Sequence, residues 1–460
     1  MAKQIDRGME NRQIALDIVT EVLEEGHFIH LVLRQALDKY AYLDKADRAF
    51  ITRLSEGVIE RRIQIDAILN QYSKVKTQKM KPVIRNLLRL GVYQILFMDR
   101  VPDSAACNEA VKLAKRRRMN GLEGFVNGVL RAISRQKEAI TYPNDWTRLS
   151  LPQWLYEMWE VRYGKSVTEK MGEALLNEEA RLCGRLNFSA IAREYPERDE
   201  KGLKELAFLR LAAEGVHVTP SELLPECFWM SGHDRLEDLT AFRKGWFLIQ
   251  DFSSALVAQA AAPREGEQVI DVCAAPGGKS LHIADRMRGT GNVIARDLTE
   301  TKVGMIEENV ARCGLLNVTP QVWDALVLDE KRVGQADLVI ADLPCSGLGI
   351  IGKKPDIKEH MNPQALLELA ALQREILSVA WQYVKPGGRL VFSTCTVDAK
   401  ENEENVAWIK KNLPFEAMDL RPMLGEWFSD ESLKDGYLQL LPGVHPTDGF
   451  FISVFERKRN

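Results

Sequence analysis

The stretch Gln268–Ser280 reads QVIDVCAAPGGKS. A short apolar run ends at Asp271, and small residues, a proline and two glycines follow before a helical pattern begins. In an open parallel sheet, a strand that leads through a turn of small residues into a helix cradles a nucleotide-like ligand. This stretch therefore predicts the first strand, the ligand loop and the first helix of an α/β domain.

Further short β-rich runs alternate with helical segments on the C-terminal side of this stretch, which predicts a parallel sheet with helices on both faces. Two final runs, Tyr437–Leu441 and Phe450–Phe455, are separated by PGVHPTDG, which is too short for a helical crossover, so they should pair as an antiparallel hairpin. The expected fold is a Rossmann-like, seven-stranded sheet whose last strand is antiparallel, as in class I methyltransferases. The predicted parallel strands are Val269–Cys273, Asn292–Asp297, Val318–Val322, Asp337–Asp342 and Arg389–Ser393.

The N-terminal part has a different hydrophobic pattern, because its apolar residues recur at the three-and-four spacing of amphipathic helices. The clearest runs are Ile14–Val22 and Ile84–Leu96, and YPNDW near Thr141 interrupts the pattern. We predict three domains: an all-α bundle over residues 1–142, a small α+β connector over 143–245 and the methyltransferase domain over 246–460.

Whole-chain properties exclude several classes of protein. The chain has 460 residues and a formal net charge of -3, so an RNA partner would have to bind a local basic patch. Neither a secretory signal nor a run of about 18 apolar residues is found, and the seven cysteines form no CxxC pair. We therefore expect a cytoplasmic protein with reduced thiols, no membrane segment and no bound metal.

Three cofactors compete for the loop. A P-loop would need a glycine where the chain has Cys273, and Pro276 lacks an N–H for phosphate, which disfavours ATP. The G-x-G-x-x-G of a dinucleotide site is absent as well. S-adenosylmethionine needs only close backbone approach, so it is the expected cofactor. The predicted loop contacts are Cys273, Ala274, Ala275, Pro276, Gly277, Gly278 and Lys279.

Carboxylates at successive strand ends support this choice. Asp297 ends the second strand, 26 residues after Asp271, near the position, about 20 residues on, where an acidic residue binds ribose hydroxyls. Asp324 follows the third strand, where we expect it to meet the adenine amino group. A single such Asp is often only a helix N-cap, but three at one sheet edge indicate a site.

Two cysteines follow neighbouring predicted strands, Cys345 in ADLPCSGLG and Cys395 in FSTCT. A lone cysteine is usually a small buried hydrophobe, but two at matched strand ends beside a cofactor indicate chemistry. A thiolate that adds to carbon 6 of cytosine makes carbon 5 nucleophilic enough to accept a methyl group. Asp342 is placed to protonate or hydrogen-bond N3 of the base.

Several motifs together closely resemble the RNA cytosine-C5 methyltransferase family, notably the Sun/Fmu type that acts on bacterial 16S ribosomal RNA. The motifs are DVCAAPGGKS, DLPCSGLG and STCTVDAKENEENV, and the NusB-like DRAFITRLSEGVIERR and FVNGVLR. The resemblance implies that Cys395 attacks carbon 6 and that Cys345 assists product release. It also implies cofactor contacts at Cys273–Lys279, Asp297, Asp324 and Asp342, and a NusB-like RNA-binding N-terminal domain.

Basic residues in two places are candidate RNA contacts, although exposed charges are often only solvated surface. We expect a monomer that acts on 16S ribosomal RNA. Transfer RNA or large-subunit RNA is an alternative target, and a non-catalytic RNA-binding or antitermination factor is an alternative class. The candidate RNA contacts are Lys115, Arg116, Arg117 and Arg118 in the helical part, and Lys353 and Lys354 after Cys345.

Overall fold

The computed structural model describes residues 7–177 and 182–459. By their contacts, these residues divide into two units. The first, called the helical unit below, comprises residues 7–177 together with Ile351–Asn362, and the second contains the remaining described residues. The predicted domain boundaries at residues 142 and 245 stay a prediction. By their contacts, residues 143–177 group with the helical bundle.

The helical unit contains ten helices that precede residue 178. The two predicted amphipathic runs are confirmed: Ile14, Val19 and Val22 are buried on the first helix, and Leu88 and Val92 on the fifth. The helices are α1 (Arg7–Glu25), α2 (Ile29–Lys39), α3 (Lys45–Glu60), α4 (Arg62–Tyr72), α5 (Pro82–Phe97), α6 (Asp103–Arg116), α7 (Glu123–Arg135), α8 (Asp145–Arg148), α9 (Gln153–Tyr163) and α10 (Lys165–Asn177).

The second unit begins with a four-stranded antiparallel sheet in the order β2-β3-β1-β4, against which two longer helices pack. This confirms an α+β connector, whose first strand starts at Leu182. Its elements are β1 (Leu182–Leu186), α11 (Phe188–Glu194), α12 (Glu200–Ala213), β2 (His217–Pro220), β3 (Cys227–Ser231), α13 (Thr240–Arg243) and β4 (Phe247–Ile249).

The predicted α/β domain follows as a mixed sheet in the order β10-β12-β9-β8-β5-β6-β7, with β11 also paired to β12. Its elements are α14 (Phe252–Ala261), β5 (Gln268–Asp271), α15 (Gly278–Arg286), β6 (Asn292–Asp297), α16 (Glu300–Cys313), β7 (Val318–Val322), β8 (Ala336–Asp342), α17 (Ile357–His360), α18 (Pro363–Ala380), β9 (Val384–Thr394), α19 (Glu403–Asn412), β10 (Phe415–Ala417), α20 (Arg421–Leu424), β11 (Tyr437–Leu440) and β12 (Phe450–Arg457). Of these, α17 belongs to the helical unit.

The predicted topology is confirmed, with one correction. Strands β5 to β9 pair in parallel, β12 is antiparallel to β9, and β11 and β12 form the expected hairpin. The sheet has eight strands rather than seven, because the short β10 also pairs with β12. Alternate residues of a strand face opposite sides of a sheet, so Val269 packs in one core and Ile270 in the other.

The segment Ile351–Asn362 leaves the turn after β8 and packs within the helical unit. The Lys358 ammonium donates to the carbonyl of Ser150 at 2.9 Å, and burial lowers the pKa of Lys358 to about 8. Glu359 pairs with Arg62 at 2.7 Å. Lys353 and Lys354 are exposed members of this segment, so the structure groups them with the helical bundle.

His282, on α15, is a structural residue that makes stability depend on pH. It is 1% exposed, its Nε2 lies 3.2 Å from Glu226 Oε1, and burial lowers the pKa of His282 from 6.5 to about 3. Between pH 6.5 and 3 the unfolded imidazole binds a proton that the folded one does not. The unfolding free energy should therefore decrease as the pH is lowered from 6.5 to 3, and this group contributes at most about 1.4 kcal/mol per pH unit.

His282→Gln should make the fall in unfolding free energy between pH 6.5 and 3 shallower, as measured by urea denaturation. The exposed His217 provides the control, because His217→Gln should keep the parent slope. An unchanged slope in His282→Gln would mean that the buried imidazole takes up its proton in the folded state.

In the described part of the chain, no helix is long and apolar enough to cross a membrane.

Candidate active site

Three strand ends bring carboxylates to the loop that follows β5. The loop begins at Cys273, whose thiol lies within electrostatic reach of Asp271, Asp297 and Asp342. Burial and these three negative charges raise the pKa of the Cys273 thiol well above its usual range. The sequence predicted this convergence from the alignment of parallel strand ends.

The loop backbone is held by the end of β6. The Ala274 N–H donates to the carbonyl of Arg296 on β6 at 2.7 Å, and the Ala275 N–H donates to Asp297 Oδ2 at 2.9 Å. Gly277 has φ +103°, and a Cβ there would lie 2.6 Å from a Leu281 methyl group. A glycine is therefore required where the loop turns into α15.

Asp271 lies beneath the loop and is not exposed. It accepts a hydrogen bond from the Ser280 hydroxyl at 2.6 Å, and burial raises the pKa of Asp271 to about 7. Asp324 lies two residues past β7, where its Oδ1 accepts from the Leu326 N–H at 2.9 Å. The expected contact of Asp324 with adenine stays a prediction.

Asp342 ends β8 and is held by two donors. Its Oδ2 accepts from the Lys279 ammonium at 2.7 Å, and its Oδ1 accepts from the Ser393 hydroxyl on β9 at 2.7 Å. Burial opposes the charge of Lys279, but Asp342, Asp271 and Cys395 together raise the pKa of Lys279. The Lys279 ammonium therefore lies within electrostatic reach of Asp271, Asp342 and Cys395.

Cys345 and Cys395 meet, as their predicted strand positions require. Their sulfur atoms are 3.3 Å apart, on the turns that follow the neighbouring parallel strands β8 and β9. The hydrogen bond with Cys395 and burial raise the pKa of the Cys345 thiol well above its usual range. The two sulfur atoms share this hydrogen bond, and either can be its donor.

The two cysteine turns are also joined through the backbone. The Gly349 N–H donates to the carbonyl of Cys395 at 3.1 Å, and the Gly449 N–H donates to the carbonyl of Gly349 at 2.9 Å. A Cβ on Gly349 would lie 2.1 Å from the carbonyl oxygen of Gly449, so the close approach of these two backbone segments requires glycine at position 349. The loop before β12 thereby supports the turn that contains Cys345.

A set of buried polar residues behind the cysteines was not predicted. It comes from the turn after Cys345, from α18 and from the chain that follows Cys395 into α19. Three of its members lie in the polar run KENEEN, which reads equally well as an exposed helix start. The residues are Ser346, Gln373, Thr396, Glu401, Asn402 and Asn405.

The predicted RNA contacts of the helical unit have different surroundings. Lys115, Arg116 and Arg118 are exposed. Arg117 forms an ion pair with Asp17, so its charge is already matched within the protein. Lys115 also lines a groove of about 750 Å³ together with Arg131 and other polar residues of α6 and α7.

The residues around the loop fit the expected cofactor. S-adenosylmethionine carries a positive sulfonium and a positive ammonium group, and its ribose hydroxyls donate hydrogen bonds. The carboxylates of Asp297 and Asp342 and a glycine turn suit such a ligand, whereas they would repel the phosphates of a nucleotide. Among residues 7–177 and 182–459, no cluster of three His, Cys, Asp or Glu side chains suits a metal.

Asp297→Ala should weaken binding of S-adenosylmethionine about tenfold or more, because a hydrogen bond to a charged group contributes about 1.5–3 kcal/mol. The dissociation constant from isothermal titration calorimetry measures this effect. Glu300→Ala is the matched control, since Glu300 is exposed at the start of α16. Equal affinity of the two variants would exclude Asp297 from the cofactor site.

The chain is similar to known proteins over both its N-terminal and its C-terminal parts. A family model described as 16S rRNA methyltransferase RsmB/F matches residues 258–456, and a NusB family model matches residues 9–135. A probable ribosomal RNA small subunit methyltransferase B of Bacillus subtilis (strain 168) is 36% identical, over 97% of this chain and 98% of its own. The corresponding Synechocystis protein (strain ATCC 27184 / PCC 6803 / Kazusa) is 33% identical, over 97% and 99%.

Solved structures extend the likeness to the fold. The crystal structure of PH0851 has a TM-score of 0.79 at 25% identity and covers 99% of this chain and 100% of that one. The structure of NSun6 from Pyrococcus horikoshii with SFG has a TM-score of 0.57 at 24% identity and covers 67% of this chain and 98% of that one. The chain therefore belongs to the ribosomal RNA small subunit methyltransferase B family, and it is an S-adenosylmethionine-dependent ribosomal RNA methyltransferase with an N-terminal NusB-type domain.

Proposed function

We propose that this protein methylates carbon 5 of a cytosine in 16S ribosomal RNA through a covalent cysteine adduct. The observation that carries the proposal is the 3.3 Å contact between the Cys345 and Cys395 sulfur atoms, within electrostatic reach of Asp342. Methylation of an amino group or a ribose hydroxyl needs no thiol, whereas carbon 5 of cytosine needs a nucleophile at carbon 6. A pair of thiols at this sheet edge fits that need.

Two features favour Cys395 as the nucleophile. The pKa of Cys345 is raised, which favours Cys345 as the donor of the shared hydrogen bond. The Lys279 ammonium also lies within electrostatic reach of Cys395. A donor and a positive charge beside a sulfur both stabilise a thiolate.

The reaction then proceeds in balanced steps. The Cys395 thiolate forms a bond to carbon 6, and the electrons of the C5–C6 double bond become available at carbon 5. S-adenosylmethionine, when bound, would supply the methyl group, and the electron pair of the broken bond would stay on its sulfur. Asp342 and Lys279, paired at 2.7 Å, provide hydrogen bonding at N3 as charge builds up on the ring.

Release of the product requires loss of the carbon-5 proton and cleavage of the bond between sulfur and carbon 6. Once Cys395 is bonded to carbon 6, its sulfur no longer carries the charge that holds the proton on Cys345. Cys345 can then lose its own proton to solvent and accept the carbon-5 proton. The C5–C6 double bond re-forms, and the electron pair of the sulfur bond returns to Cys395 as the thiolate.

We further propose that the exposed basic residues Lys115, Arg116 and Arg118 and the groove beside them contact RNA phosphates. Lys353 and Lys354 are proposed as a second contact. Arg117 is the weakest member of the predicted set, because Asp17 already pairs with it.

Transfer of labelled methyl from S-adenosylmethionine to unmodified RNA tests the substrate and the product together. We expect 5-methylcytidine to appear in 16S ribosomal RNA after nuclease digestion and mass spectrometry. Transfer RNA and 23S ribosomal RNA are the comparison substrates. Preferential labelling of either, or a label on any other nucleoside, would contradict the proposal.

A further inference from the structure

A fully buried carboxylate lies directly behind the two cysteine turns. Glu401 is 0% exposed and belongs to the loop that joins β9 to α19. Its Oε2 accepts from the Ser346 N–H at 3.0 Å and from Gln373 Nε2 at 2.9 Å, and its Oε1 accepts from the Ser346 hydroxyl at 2.5 Å. Ser346 is the residue that follows Cys345, so Glu401 binds the backbone and the side chain of that turn.

The same carboxylate reaches the other cysteine turn through one hydroxyl group. Ser346 Oγ lies 2.7 Å from Thr396 Oγ1, and Thr396 follows Cys395. Gln373 completes the arrangement from α18, since its Nε2 also donates to the carbonyl of Pro344 at 2.9 Å. Residues on both sides of Cys345, and the residue after Cys395, are therefore linked to one carboxylate.

The donors that hold Glu401 are a backbone amide, a hydroxyl group and a carboxamide. A carboxylate that is buried among neutral donors is costly to desolvate, so it is a poor way to stabilise a core. It is a good way to impose a geometry, because two oxygens accept from three donors in fixed directions.

We propose that Glu401 is a positioning residue that sets the Cys345 sulfur against the Cys395 sulfur for product release. This inference rests on the function proposed above. Glu401 binds the Cys345 turn directly and the Cys395 turn only through Ser346. Its loss should therefore impair the release step, which needs Cys345, more than the attack by Cys395.

Glutamine at this position can keep every hydrogen bond. Its Oε1 can accept from the Ser346 N–H and from Gln373, while its Nε2 donates to the Ser346 hydroxyl, which in turn donates to Thr396. Leucine has a similar size and keeps none of them. Comparison of Glu401→Leu with Glu401→Gln thus separates hydrogen-bonded positioning from any role that needs the charge or a proton of Glu401.

The experiment measures single-turnover methyl transfer to 16S ribosomal RNA and the fraction of protein in a covalent RNA adduct on denaturing gels. We expect Glu401→Leu to slow adduct breakdown about tenfold or more while adduct formation changes less, and Glu401→Gln to return within about threefold of the parent. Glu404→Gln removes an exposed carboxylate of the same motif and should behave as the parent.

Ser346→Ala provides a second, milder variant, in case Glu401→Leu does not fold. It removes the hydroxyl link to Thr396, and we expect it to slow adduct breakdown as well. Adduct breakdown at the parent rate in folded Glu401→Leu, or in Ser346→Ala, would overturn the inference. Equal defects in Glu401→Gln and Glu401→Leu would also overturn it. The absence of any adduct in Cys345→Ala would instead refute the proposed function.

Discussion

Cys395→Ala is expected to abolish methyl transfer and to form no covalent adduct with RNA. Without the thiolate, carbon 5 of cytosine has no enamine electrons with which to attack the methyl group. Loss of a nucleophile typically lowers turnover by several orders of magnitude, so we expect a fall of about 1000-fold or more. Labelled methyl transfer under single-turnover conditions measures it.

Binding measurements show whether the loss of methyl transfer comes from the missing nucleophile or from weaker binding of the cofactor or the RNA. Cys395→Ala should keep the parent affinity for S-adenosylmethionine and for RNA, because the loop carboxylates and the helical unit are unaltered. Cys107→Ala replaces a buried thiol of the helical unit and should retain full activity. Substantial methyl transfer by Cys395→Ala would rule out this residue as the nucleophile.

Cys345→Ala is expected to stop after about one turnover and to accumulate as a covalent complex with RNA. The attack by Cys395 can still occur, whereas the group that accepts the carbon-5 proton is missing. We expect steady-state turnover to fall about 100-fold or more, with a burst of close to one methyl group per protein. Quench-flow methyl transfer and denaturing gels together measure both quantities.

The outcome for Cys345→Ala depends on which of the two cysteines attacks carbon 6 and which assists product release. If Cys395→Ala accumulates the adduct and Cys345→Ala does not, the two roles are reversed. If both variants turn over normally, the covalent pathway is wrong, and the 3.3 Å sulfur contact has another purpose.

The sheet and its ligand edge could be predicted because both follow from local patterns. Strand β6 and strand β7 have the predicted limits, and Asp297 and Asp342 end parallel strands as expected. The prediction for the first strand was wrong by two residues, since β5 ends at Asp271 rather than at Cys273. Parallel strands place their carboxyl ends at one edge, so strand-end residues in sequence become neighbours in space. The same rule brought Cys345 and Cys395 together.

Features that depend on distant partners could not be predicted. Arg117 was predicted to contact RNA. Its ion-pair partner, Asp17, lies 100 residues earlier in the chain, so the local sequence gives no sign that the charge of Arg117 is already paired. The burial of Glu401 depends on residues of α18 and of the turn after β8, which lie far from it in the sequence. The grouping of Ile351–Asn362 with the helical unit likewise rests on contacts of Lys358 and Glu359 far away in the sequence.

Peptide mass spectrometry of the complex trapped with Cys345→Ala shows whether Cys395 attacks a cytosine that then receives its methyl group on carbon 5. We expect a single modified cysteine, Cys395, linked to a cytidine nucleotide that carries one additional methyl group. A nucleotide linked to any other residue, or a linked cytidine without the methyl group after incubation with S-adenosylmethionine, would contradict this mechanism.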